Sequence, residues 1–264
     1  MRTETFSTPG SVRLKVSIPS GDIRLETSDE PETHVELEAR DEEALAAATI
    51  EVRERGGGHE VIVEAPKKFR LLGFGNDEYR LYVRAPHGAD VNLSTSSADV
   101  EAQGQYGSVE LNSASGDTKF EQVEGEARIN TASGDLRLDR IGQDATVNSA
   151  SGDIELGTLG GKGKIRSASG DVEVAEAKTS LSVQTASGDL KIGSIESGEI
   201  SLQSASGDIQ VAVARGATLW IDAKSMSGDT TSELELEGEA PAEGGAAVEL
   251  RAASMSGDIQ IRRA

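Results

Sequence analysis

The sequence predicts an all-β chain wound as a parallel β-solenoid with coils of about 18 residues, preceded by a β-rich N-terminal capping portion. Three observations carry that expectation. A Ser-Gly-Asp phrase returns at a fixed spacing. Apolar and polar residues alternate on either side of it. Equivalent positions of successive repeats hold the same kind of side chain, as in LNSASGDTKF, INTASGDLRL, VNSASGDIEL, IRSASGDVEV, VQTASGDLKI and LQSASGDIQV.

The phrase glycines Gly116, Gly134, Gly152, Gly170 and Gly188 fall 18 residues apart, and Gly207, Gly228 and Gly257 follow at gaps of 19, 21 and 29. Backward, the period reaches Ala98 in TSSADVEA, a degenerate copy, while PSGDIRLE near the N-terminus is an isolated echo. Within a repeat, Ile154 and Leu156 alternate after the Asp, and Ile165 and Ser167 alternate before the next phrase, which gives two short strands per coil. Glycine-bearing stretches such as LGGKGKI and IESGEISL turn the chain between them, because glycine takes positive φ at little cost. Superposed, the repeats form columns: Ile129, Val147, Ile165 and Val183 in one; Phe120, Leu138, Leu156 and Val174 in another; Val123, Ile141 and Leu159 in a third. Coils stacked ~4.8 Å apart require such columns, and stacking buries an apolar face that one coil could not bury alone. An antiparallel sandwich also has short, evenly spaced strands, but its successive strands meet different surroundings and have no reason to repeat one phrase.

The solenoid is expected over residues 93–264, in about nine coils, and the capping region over residues 1–92. The first segment reads as longer alternating strands, with Pro19, Pro66 and Pro86 each closing one and Asp41 capping a short helix. Such a region would shield unpaired N–H and C=O groups at a coil end. Between Lys67 and Arg80 the residues Phe69, Leu71, Leu72 and Phe74 form the most apolar stretch outside a strand, either packed on the coils or exposed as a candidate partner-contact loop. Toward the C-terminus an acidic stretch, Glu233 to Gly245, widens the last repeat, Trp220 is expected to plug the core, and Arg262 and Arg263 would guard the final strand against edge pairing.

Composition narrows the functions. With 46 acidic and 26 basic residues the net charge is −20, which repels phosphate backbones, so nucleic acid is not an expected partner. Cysteine is absent, excluding disulfides and thiolate metal sites. No run approaches the ~20 apolar residues of a membrane span or the core of a signal peptide, and the chain is expected to be soluble and cytoplasmic, without membrane insertion. His34, His59 and His87 lack metal-ligand spacing, and the serines and glycines form no nucleophile elbow or phosphate loop.

The turn residues are the remaining constellation: Gly116 with Asp117, Gly134 with Asp135, Gly152 with Asp153, Gly170 with Asp171, Gly188 with Asp189 and Gly207 with Asp208. Stacked carboxylates ~4.8 Å apart repel by about 1 kcal/mol even in water, so something must offset the repulsion. Backbone hydrogen bonds within a structural turn ladder are the expected device. Calcium is the alternative, although the motif matches the nine-residue calcium-binding roll poorly, and no cofactor is expected. Catalysis is disfavoured, because acid–base pairs need two carboxylates in unlike surroundings. Ser149, Ser167, Thr185 and Ser204 are expected to form a hydroxyl ladder beside the core.

The phrases VSIPSGDIRLET and RAPHGADVNLSTSSADVEAQG and the TASGDL, SASGDI and SMSGDI series resemble a bacterial family of β-strand-repeat proteins grouped as putative adhesins and as a domain of unknown function. That resemblance implies a β-solenoid, an adhesin-like role and no catalytic residues to carry over. The expected function is therefore a non-enzymatic binding or scaffold module with a protein or glycan partner. Two alternatives stand beside it: a self-assembling structural protein resembling bactofilin-type filaments, homo-oligomeric through its coil ends, and a β-helix carbohydrate-active enzyme.

Overall fold

The computed structural model describes residues 1–66, 78–233 and 247–264, and its strands divide into two compact units, Met1–Gly134 and Asp135–Ala264. The fold is a parallel β-solenoid, and α1 (Glu42–Ala46) is the one helix among the described residues. Asp41 caps it as expected, its Oδ1 accepting the Glu43 N–H at 2.9 Å.

The first unit contains β1 (Arg2–Ser7), β2 (Val12–Ser28), β3 (Glu32–Ala39), β4 (Thr49–Arg55), β5 (Gly58–Glu64), β6 (Tyr79–Pro86), β7 (Ala89–Ser113), β8 (Thr118–Val123) and β9 (Ala127–Thr131). Its spine is β2. One edge of β2 runs parallel to β7, and the other is shared, β5 lying against Val12–Ser17 and β6 against Gly21–Ser28. In that register Ser20, Gly21 and Asp22 stack on Ser97, Ala98 and Asp99. The echo and the degenerate copy, 77 residues apart in chain, are thus adjacent layers of one ladder. Strands β4, β3 and β1 add antiparallel to β5, β6 and β3 respectively.

Pro19 does not close a strand, contrary to expectation: β2 runs straight through it. The pairing explains why. On the outer side β5 stops at Ser17 and β6 begins at Gly21, so Pro19 falls in the gap where no acceptor awaits an N–H. Deeper in the unit, Phe120 and Tyr106 meet edge to face with centroids 5.7 Å apart, and the Tyr106 hydroxyl donates to the Gln103 carbonyl at 3.0 Å. Burial raises the pKa of that phenol.

The second unit contains β10 (Leu136–Ile141), β11 (Ala145–Ser149), β12 (Ile154–Leu159), β13 (Gly163–Ser169), β14 (Val172–Ala177), β15 (Leu181–Ser187), β16 (Leu190–Ile195), β17 (Gly198–Ser206), β18 (Ile209–Val213), β19 (Thr218–Ser227), β20 (Thr230–Ser232), β21 (Ala247–Ser256) and β22 (Ile259–Arg263). Each strand pairs in parallel with the strand two places on, through β10, β12, β14, β16 and β18 on one face and β11, β13, β15 and β17 on the other. Period-two alternation sends Leu136, Ile154, Val172, Leu190 and Ile209 inward from the first face and Val147, Ile165, Val183 and Leu202 from the second, all buried. Each such side chain contributes about 1.5–3 kcal/mol through burial.

At the C-terminal end the stack leaves sequence order. Strand β17 pairs with β21 and β18 with β22, while β19 and β20 pair on the far sides of β21 and β22. The last coil in sequence is therefore inserted beneath the one that precedes it. The change accompanies the long 29-residue spacing from Gly228 to Gly257. Arg262 and Arg263 accordingly lie beside Ala212 and Val213 rather than at the outermost strand, and the outermost described strands are β19 and β20.

Candidate partner-binding face

The Asp line is built into the backbone. In the first unit the Asp117 N–H donates to Oδ1 of Asp99 at 2.9 Å. In the second, Asp153 donates to Asp135 at 2.9 Å, Asp171 to Asp153, Asp189 to Asp171 and Asp208 to Asp189 each at 2.8 Å. The line continues from Asp258 to Asp208 at 2.7 Å and from Asp229 to Asp258 at 2.8 Å, repeating the exchanged order of the last coils. Return bonds close each rung: the N–H after Asp153 donates to the Asp171 carbonyl, and the N–H after Asp171 to the Asp189 carbonyl, both at 2.9 Å. Every carboxylate so engaged stabilises the coil stacked on it, which offsets the repulsion along the line.

From Gly116 onward, the glycine before each Asp makes that spacing feasible. At Gly170, φ is +106°, and a Cβ there would sit 2.3 Å from the Gly152 carbonyl oxygen of the coil below. A side chain would force the coils apart.

The serine and threonine column behaves otherwise than expected. Ser149, Ser167 and Thr185 donate within their own turns, to the carbonyls of Ser151, Ser169 and Ser187 at 3.0, 2.9 and 3.1 Å. Each hydroxyl is used by the carbonyl two residues on, and no hydroxyl ladder links these layers among the described residues. Ser204 Oγ is buried without a partner among the described residues.

Two of the histidines bond neighbouring polar side chains. His34 bonds Thr5 at 2.9 Å and Glu36 at 2.8 Å, and His87 bonds Thr27 at 2.7 Å. Among the described residues no group of three or more His, Asp or Glu is placed to hold a metal ion. The stretch with Phe69, Leu71, Leu72 and Phe74 lies outside the described residues, as does nearly all of the acidic stretch from Glu233 to Gly245.

The two outward faces of the second unit differ in charge. On the β10–β18 face several charges are paired, Arg137 with Asp139 at 2.8 Å and Glu155 at 2.6 Å and Lys191 with Glu173 at 2.7 Å, while Arg140 has no ion-pair partner among the described residues. Strands β11, β13, β15 and β17 instead turn outward Thr146, Asn148, Lys164, Arg166, Ser182, Gln184, Ser201 and Gln203, aligned in two columns by the parallel register. Asp144 and Glu199 are carboxylates at the margin, and Arg251 neutralises Glu199 at 2.8 Å. Lys164 and Arg166 are exposed and have no ion-pair partner among the described residues, in a chain of net charge −20. Two free cations among hydroxyls and amides at a repeated spacing form a surface suited to hydrogen-bonding an extended, carboxylate-bearing ligand. The signal was present in the sequence, at the outward positions of ATV-N, GKI-R, LSV-Q and ISL-Q, but attention to the Gly-Asp turns passes over it.

The profile of the family described as Toastrack DUF4097 matches residues 12–197 and 161–262. Among proteins of curated function none matches the chain in sequence. Crystal structures similar along the chain include a putative adhesin from Bacteroides fragilis, at 12% identity and TM-score 0.42 over 100% of this chain and 96% of that one. A putative cell adhesion protein from Clostridium sporogenes has 10% identity and TM-score 0.31 over 100% and 99%. A putative adhesin from Parabacteroides distasonis has 11% identity and TM-score 0.33 over 98% and 96%. At those scores the likeness carries no argument about what this chain binds.

Proposed function

We propose, for a chain that belongs to the Toastrack DUF4097 family, a non-catalytic binding module that engages a carboxylate-bearing protein or glycan through the β11–β17 face. The observation that carries this reading is the pair of unpaired cations, Lys164 and Arg166, on a face almost free of carboxylates. Hydroxyls and amides of Thr146, Asn148, Ser182, Gln184, Ser201 and Gln203 supply donors and acceptors around them, and the stacked strands hold all of them at fixed intervals before any partner arrives. Preorganisation of this kind favours ligands that themselves repeat. The reading calls for no cofactor, since the Asp line already serves the backbone.

No helix among the described residues is long and apolar enough to cross a membrane. Binding to arrays of carboxylated and neutral glycans and of acidic and neutral peptides tests the proposal. Wild-type protein should bind a carboxylated subset, and Lys164→Glu with Arg166→Glu should weaken it at least tenfold with an unchanged melt, as expected for losing charge-assisted hydrogen bonds of about 1.5–3 kcal/mol each. Undiminished binding by the double variant, or equal binding to neutral ligands, would overturn it.

A further inference from the structure

The outermost strand β19 (Thr218–Ser227) pairs with β21 on one edge, and its other edge faces no strand among the described residues. The core beneath it is also incompletely covered. Leu219 and Ile221 are half-buried, whereas Val248 and Leu250, their register partners one layer in, are at most 1% exposed. An uncovered parallel edge with apolar residues behind it is a template for another strand.

Its outward side chains are unusual for this protein. Trp220 is 53% exposed rather than plugging the core, because the strand alternation turns it outward, and it stacks with Arg251 at 5.8 Å. The residue two before each phrase glycine is Ala in the inner repeats, at Ala132, Ala150, Ala168, Ala186 and Ala205. In the two outermost layers it is Met226 and Met255, 83% and 59% exposed. Large apolar side chains thus replace small ones only where the stack ends.

We propose that β19 pairs antiparallel with β19 of a second copy, about a two-fold axis at Ala223. Opposed residues of an antiparallel pair point to the same face, so only a few registers are available. An axis at Asp222 sets that carboxylate against itself, and an axis at Lys224 does the same for the ammonium. An axis at Ile221 places both charges opposite uncharged residues. With the axis at Ala223, Asp222 of each copy lies across from Lys224 of the other, and Trp220 lies across from Met226, each pair occurring twice. Self-complementarity in both charge and shape is what an isologous contact requires. It uses one surface twice and closes as a dimer, unlike a head-to-tail filament. A contact through one strand edge is small beside the ~1,200–2,000 Å² of a standard stable interface, so a weak, concentration-dependent dimer is expected.

Sedimentation velocity on the full chain over a concentration series tests this. Wild-type protein should move from monomer to dimer and never exceed two protomers. Lys224→Asp and Asp222→Lys should each raise the dissociation constant at least tenfold, by opposing like charges. The double variant D222K/K224D should recover the dimer, and so should an equimolar mixture of the two single variants, which keeps the test sound even if one variant folds less well. Lys164→Glu with Arg166→Glu should leave the dimer intact, separating this contact from the binding face. A wild-type chain monomeric at every concentration, assemblies growing beyond two copies, or a dimer indifferent to the charge exchange would overturn the proposal.

Discussion

Asp171 receives the Asp189 N–H from the coil on one side, while its own N–H is taken by Asp153 on the other. A single side chain therefore joins two layers, and its value depends on having a layer to join. Asp171→Ala leaves the Asp189 N–H without its acceptor and should cost about 1–2 kcal/mol in urea unfolding, whereas Asp171→Asn, which keeps a carbonyl oxygen there, should cost less. Asp229 ends the line: its carbonyl still takes the Ile259 N–H, but its carboxylate accepts no N–H among the described residues, so Asp229→Ala should be nearly neutral. Equal losses at the two positions would show that the carboxylates act by something other than this bond. The turn residues were legible because turn chemistry is local: Ser, Gly and Asp announce their conformation wherever they occur. The fate of the hydroxyls was not. Thr185 donates along its own turn rather than to the next coil, a choice of side-chain rotamer that composition does not encode.

At the scale of the element, β2 shows how pairing overrides propensity. Pro19 is a strand breaker by its own chemistry and harmless where β5 has ended and β6 has not begun. Pro19→Ala should accordingly shift stability by no more than about 0.5 kcal/mol. Val16 sits between Val63 of β5 and Leu93 of β7, so Val16→Pro should cost about 3 kcal/mol or more, or prevent folding. Comparable melts for the two variants would contradict the assigned register. The expected strands themselves were readable, since Leu14 and Val16, or Ile154 and Leu156, declare an inward face by period two. Trp220 obeys the same alternation. The expected core plug fails because its neighbours Leu219 and Ile221 take the inward positions and leave Trp220 the outward one, whatever an aromatic ring gains from burial.

For the second unit as a whole, the coil order is what sequence could not supply. Repeats that share one phrase and one set of inward aliphatics are interchangeable as neighbours, so local chemistry lets Ile209 stack on Ile259 as readily as on Thr230. The order follows from non-local closure, with the 29-residue spacing as its only trace in the sequence. An inserted final coil also means that the C-terminal strands hold up the ones before them. Cysteine pairs report the arrangement directly, because the chain has no cysteine of its own. Ser206 is in register with Ser256, and Ser256 with Ser227, so Ser206 and Ser227 are two layers apart. Parallel neighbours ~4.8 Å apart fall within the span of a disulfide, and residues two layers apart do not. On mild oxidation, Ser206→Cys with Ser256→Cys should cross-link within the monomer while Ser206→Cys with Ser227→Cys stays reduced. The opposite outcome would restore stacking in sequence order and contradict the structure described here.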